Sequence, residues 1–171
     1  MHSSIDVANK LLELAKNKGR KFTQFELIKL VYLCHCEMLI THKKPLIDDV
    51  IYAWKHGPII KTLWDATKDY KEGSITYPIK PYQEHKNFNS EEENIISKTF
   101  KKYEEYSASD FYKLTHARNT PWDIVYNQYE KSTTDIENII SNSAILISAL
   151  YFYQNYYEDF FNFTPVGKEE W

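Results

Sequence analysis

Cysteine and histidine are the side chains in this 171-residue chain best suited to chemistry, and they are few: two Cys and six His. Cys34-His35-Cys36 is the densest group, and metal sites do use such residues. The run lies in what reads as a helix, however, where successive side chains turn by about 100°. Cys34 and Cys36 then point about 200° apart and cannot readily pair with each other, and at most two of the three residues share a face. His42, seven residues beyond His35, adds one further candidate ligand. We therefore expect no metal and no other cofactor, with Cys34 in the core, His35 on the surface, and two free thiols of the kind a reducing compartment permits. There is no glycine-rich phosphate loop, no Gly-x-Ser-x-Gly elbow and no His-Glu-x-x-His pair in the sequence. His56 and His116 could act as bases beside Cys34 or a carboxylate. They are more simply read as a residue beside a strand end and an imidazole bonding free carbonyls in the last turn of a helix. Binding rather than catalysis is the expectation.

Composition agrees. The chain is 43% hydrophobic and 26% charged, with only four Gly and six Pro, which excludes low-complexity and collagen-like sequences and wholesale disorder. At this length one domain, spanning residues 1–171, should bury about 70% of its unfolded surface. Charge is uneven. Residues 1–86 hold 14 Lys and Arg against 10 Asp and Glu, whereas residues 87–171 hold 7 against 14. Arg20 and Arg118 are the only arginines, so a basic face able to grip nucleic acid is not expected. The longest strongly apolar run, Ala144 to Tyr153, is about half of what crosses a bilayer. The N-terminus leads directly into an amphipathic pattern without a signal-peptide design. A cytoplasmic location is expected.

The elements that must position these residues are mostly helical. Ile5, Ala8, Leu11, Leu12 and Ala15 mark a first helix from about Ser4 to Lys18, stopped at Gly19. Thr23 and Glu26 form a capping box, with Phe22 and Leu27 as its hydrophobic staple, for a second helix to about Thr41. That helix should lie deep in the core, with Gln24, Glu26, Tyr32 and Glu37 outward. Val50, Tyr52 and Trp54 alternate with Ile51, Ala53 and Lys55 as a short strand ending at Gly57-Pro58, where Pro58 is read as the first residue of a third helix. Lys71 to Asn89 holds a second strand or a long ordered loop. Ser90 with Glu93 boxes the next helix, Ser107 or Ser109 caps a short one through His116, and Thr120-Pro121 starts another. Thr134 with Glu137 opens the last, which carries Ile136, Ile139, Ile140, Ile147 and Leu150, with a break near Ser141-Asn142. No internal repeat or interdomain linker is visible. The fold expected is mainly α, a single compact domain of six or seven helices with a small two-stranded β element.

Eight of the thirteen residues from Tyr151 to Phe163 are aromatic. One helix face can bury only about half of them, so Tyr153, Tyr156, Tyr157, Phe160 and Phe161 are candidate contacts for a protein partner. The chain's general richness in Tyr, Asn, Lys and Ile offers a compositional explanation beside the functional one. A DNA-binding transcriptional regulator or autoregulator, using the first two helices as a helix-turn-helix, is the alternative function. Glu37 on the second helix would repel phosphate.

Three motifs bear on this choice. Phe25-Glu26-Leu27-Ile28-Lys29-Leu30-Val31-Tyr32-Leu33, Ala53-Trp54-Lys55-His56-Gly57-Pro58-Ile59, and Leu114-Thr115-His116 followed by Pro121-Trp122 together resemble the Panacea domain, the SocA-like antitoxin family also seen as phage-associated proteins. The family's helix motif reads Leu-x-Lys-Leu-hydrophobic-Tyr, and its second motif Ala-Trp-x-x-Gly-Pro-Val. Ile28 and Ile59 stand where Gln and Val are common. The resemblance covers about residues 5–130, leaving an aromatic-rich helix and tail over 134–171. It marks Leu27, Lys29, Leu30, Tyr32, Trp54, Gly57, Pro58, Thr115, His116, Pro121 and Trp122 as scaffold residues. It implies a non-enzymatic protein that neutralises a cognate protein toxin, typically a neighbouring gene's product, by direct contact. One family member instead acts as an adaptor that delivers its toxin to a Clp-type protease.

Overall fold

The computed structural model describes residues 1–80, 87–129 and 138–156, with the side chains of 128–129 and 152–156 left aside. Seven α-helices appear among these residues: α1 (Ser4–Asn17), α2 (Gln24–His42), α3 (Lys61–Thr67), α4 (Ser90–Tyr103), α5 (Ala108–His116), α6 (Pro121–Tyr129) and α7 (Asn142–Tyr156). Two strands, β1 (Ile51–Trp54) and β2 (Gly57–Ile60), form an antiparallel pair. The fold is mainly α, as the periodicity predicts.

α2 is the central element and touches α1, α3, α4, α5, α7 and β2. Every residue from Glu26 to Cys36 is buried. A helix that is apolar on all sides survives only when surrounded, and the run Leu27-Ile28 with Leu30-Val31 and Leu33-Cys34 leaves no polar stripe. Glu26 and Tyr32, read from sequence as outward, are therefore enclosed, at 7% and 2% exposure. Glu26 completes the capping box with Thr23 and binds Arg20. Gln24 is half-buried and donates to the carbonyl of Trp64 at 2.9 Å. His35 is also buried rather than on the surface, because both ring nitrogens are satisfied there. Nδ1 accepts from the Ile47 amide, and Nε2 lies 2.9 Å from Asn142 Oδ1, which pins the start of α7 to α2. Cys34 and Cys36 are buried free thiols, beside Thr99 and Tyr32 respectively, and burial pushes both acidities down.

Two boundaries differ from the sequence reading. Gly57-Pro58 continues into β2 and the helix starts at Lys61, because β1 folds back on itself with Trp54 opposite Gly57 and Ile51 opposite Ile60. Pro58 is tolerated in so small a sheet because an outer strand does not need every N–H. The cap of α4 is Asn89 with Glu92, one residue ahead of Ser90 with Glu93. The shift lets Glu92 Oε2 also meet buried His2 at 2.9 Å, which ties the N-terminus to α4. Segment 74–76 pairs only locally: Ile75 N–H donates to Phe22 O at 2.9 Å, and Ser74 bridges Thr23. Residues 138–140 add a short third rung to β1, through Ala53 N–H to Asn138 O and Ile140 N–H to Ile51 O. Thr134 and Glu137 lie outside the described residues. No helix among the described residues is long and apolar enough to cross a membrane.

Candidate functional site

The eleven motif residues come from α2, the hairpin, α5 and α6, and most of them meet at the hairpin turn. Lys29 is fully buried, at 0% exposure. Its ammonium donates to His56 O and Pro58 O, each at 2.8 Å, and lies 4.7 Å from the Phe25 ring centroid. These carbonyls sit on the outer edge of β2, so Lys29 caps a sheet edge that would otherwise offer unpaired acceptors. No carboxylate among the described residues contributes, and burial pushes the Lys29 pKa down to about 7.

Gly57 sits between the partners of this clasp with φ +97°. A Cβ there would lie 2.8 Å from Lys29 Nζ and 2.8 Å from His116 Cε1. The position requires glycine twice over, for the left-handed turn and for the close approach. His116 closes the far side. Its Nδ1–H donates to Tyr112 O at 2.8 Å, its ring stacks on Tyr112 at 3.8 Å, and Trp122 packs 4.0 Å away on a tilt. Burial, then the nearby Lys29 charge, hold the His116 pKa below its ordinary value. Its Nε2 is buried without a hydrogen-bond partner among the described residues.

Trp122 joins α6 to the sheet, because its Nε1–H donates to Trp54 O at 2.8 Å while its ring stacks on Tyr126. Thr115 bonds back to Phe111 O, and the Thr120 hydroxyl donates to Thr115 O at 3.2 Å and accepts from Asp123 N–H, which starts α6 at Pro121. Asn119, with φ 64°, makes the corner between α5 and α6, and Ser148 of α7 donates to its carbonyl. Leu27, Leu30 and Tyr32 lie elsewhere along α2 as core side chains. The motif thus builds a locked framework, with Lys29, Gly57 and His116 at its centre.

α7 behaves differently. Its fifteen residues carry no charge. Ile145 and Ser148 face inward, at 1% and 0% exposure, while Ile147 and Leu150 are 60% and 59% exposed and Tyr151 is 37% exposed. Ile147 and Leu150, carried on this helix in the sequence reading, lie on its outer side. The Ser148 bond to Asn119 selects which face turns in, a preference that an uncharged helix does not announce. Ile147, Leu150 and Tyr151, spaced three and four apart, form one apolar stripe on the outside, and Ile139 next to β1 is 54% exposed. Tyr153 and Tyr156 belong to α7, with their side chains outside the description, and Tyr157, Phe160 and Phe161 lie outside the described residues.

The described residues thus form a helical framework locked around a buried lysine, beside a helix that exposes an apolar stripe. Residues 27–123, more than half of the chain, match the model of the Antitoxin SocA-like, Panacea domain family, and the chain belongs to that family. Among curated proteins it is similar to Antitoxin SocA of Caulobacter vibrioides (strain NA1000 / CB15N), 26% identical over 137 residues that cover 71% of this chain and 69% of the relative. No solved structure matches the chain. The matched span contains every motif residue and stops at Asp123, leaving α7 outside it.

Proposed function

We propose that this protein is an antitoxin that neutralises a cognate protein toxin by direct contact in the cytoplasm, holding it on the outer face of α7 and the aromatic residues that follow. The observation that carries the reading is the apolar stripe of Ile147, Leu150 and Tyr151 on an uncharged helix, attached to the framework of an antitoxin family and lying beyond the residues its family model matches. Apolar and aromatic side chains that gather on one face and are desolvated on association supply most of the binding energy at protein interfaces. Tyr153, Tyr156, Tyr157, Phe160 and Phe161, which follow in the sequence, are proposed as further contacts. The role asked of the clasp is structural. Lys29 and His116 are occupied in holding β2 to α2 and α5, which supports capture rather than turnover. The alternative, a transcriptional regulator reading DNA with the second helix, is opposed by the burial of α2 on every side, since a groove-reading helix must leave one face free.

The test is co-expression with the neighbouring gene in a host that its product harms. The wild-type protein restores growth and co-purifies with the toxin, at an unchanged toxin half-life if masking alone suffices. Ile147→Glu with Leu150→Glu loses both protection and complex while its melting temperature stays within about 3 °C of wild type. A harmless neighbour, or a toxin that this protein neither binds nor restrains, would overturn the reading. A half-life shortened only when a Clp-type protease is present would assign delivery instead of masking.

A further inference from the structure

The turn between α1 and α2 borders a groove of about 420 Å³ in which no residue of α7 takes part. Leu12 and Ile75, both buried, line its apolar part, and Lys16, Lys21 and Tyr77 are exposed around it. Gly19, at φ +68°, leaves the turn open, with nothing within 4 Å of where a Cβ would stand. The three cations at this groove have different duties. Arg20 is occupied: it donates to Glu104 O at 2.9 Å, Lys21 O at 2.7 Å and Tyr106 O at 3.0 Å, and pairs with Glu26 at 3.2 Å. It fastens the turn to the end of α4. Lys16 and Lys21 are free of carboxylate partners among the described residues, whereas neighbouring Lys18 is paired to Glu104 at 2.7 Å.

Two unmatched ammonium groups beside an apolar depression select one kind of occupant. An acidic group alone would leave the groove's apolar lining, floored by Leu12 and Ile75, facing water, and an apolar group alone would leave the cations without a partner. The volume suits one or two side chains. A nucleic-acid backbone would need a longer row of cations than these two, with Arg20 already committed. We propose that this groove docks a short acidic protein segment carrying one aliphatic or aromatic anchor, with the anchor against Leu12 and Ile75 and carboxylates on Lys16 and Lys21. The proposal is independent of what α7 binds.

The experiment uses the full-length protein and a fluorescein-labelled octapeptide with acidic residues on both sides of a Leu-Phe pair, followed by fluorescence anisotropy. Saturable binding is expected, weakening by about tenfold between about 20 mM and about 300 mM salt. Lys16→Gln with Lys21→Gln should weaken it by about tenfold, whereas Lys61→Gln with Lys68→Gln, a control pair on another surface, should leave it within about twofold. These exposed positions should leave the melting curve unmoved, so a loss of binding reports the groove. Absence of saturation overturns the proposal. So does equal binding of the peptide with its acids replaced by lysines, insensitivity to the Lys16 and Lys21 changes, or displacement of the probe by a duplex oligonucleotide that binds more tightly.

Discussion

Gly57 is the position where substitution is least forgiving, because its two constraints are met by one hydrogen atom. Gly57→Ala meets both the φ of +97° and a clash at 2.8 Å with an ammonium held by two carbonyls and an imidazole held between two rings. A destabilisation of about 2–4 kcal/mol is expected, read from urea unfolding. Lys29 makes a different prediction, about pH. Its folded pKa, about 7, lies below the ordinary 10.5. The unfolded chain therefore binds more protons between those values, and stability rises with pH across that window. Below about pH 7 both states carry the charge and the burial penalty is felt in full. Above about pH 9 the buried Cys34, Cys36, Tyr32 and Tyr103, all with raised pKa values, act in the opposite sense. Between pH 7 and about 8.5 wild type should gain stability with rising pH, while Lys29→Met, which retains the length of the side chain without the charge, should show a flatter profile. Parallel profiles in urea titrations across that range would mean that Lys29 does not lose its proton there.

At the scale of elements, local chemistry was legible wherever it was self-contained. Thr23 with Glu26 is read correctly from spacing, and of the two caps offered for α5, Ser107 and Ser109, the structure uses Ser107. α4 shows where spacing stops. Asn89 with Glu92 and Ser90 with Glu93 satisfy the same rule one residue apart, and the choice is made by His2, ninety residues away in sequence, which takes Glu92 as its partner. Asn89→Ala should therefore cost about 1 kcal/mol, and Ser90→Ala about a few tenths, in the same unfolding assay; equal costs would place the cap elsewhere. Gly57-Pro58 is a similar case, since a proline suits both a helix start and an outer strand. The structure chooses the strand because Lys29 supplies the hydrogen bonds that the edge lacks. His35 was unreadable for the same reason, its partners Ile47 and Asn142 lying 12 and 107 residues away in the sequence. The motif residues were legible as a set, but the clasp was not, because a lysine two turns into a helix gives no sign of the carbonyls it will meet.

For the whole molecule, the proposed toxin interface on a helix beyond the framework spanning 27–123 would separate the control of association from that of dissociation. Residues 87–171 carry 7 basic against 14 acidic residues, so long-range attraction to a basic toxin would act before contact and would be screened by salt. In the proposed interface Ile147, Leu150 and Tyr151 would act only after contact, when water leaves the stripe. With the toxin identified by co-expression, surface plasmon resonance should show an association rate that falls with ionic strength and a dissociation rate that hardly responds to it. Ile147→Ala with Leu150→Ala should raise dissociation at least about tenfold, equivalent to about 1.4 kcal/mol, and leave association within about threefold. Both side chains are more than half exposed in the free protein, so their truncation should cost little stability, and a faster dissociation cannot be assigned to unfolding. A variant with wild-type dissociation would move the interface off α7, while a variant slowed only in association would make the stripe a guide for encounter rather than the surface that holds the toxin.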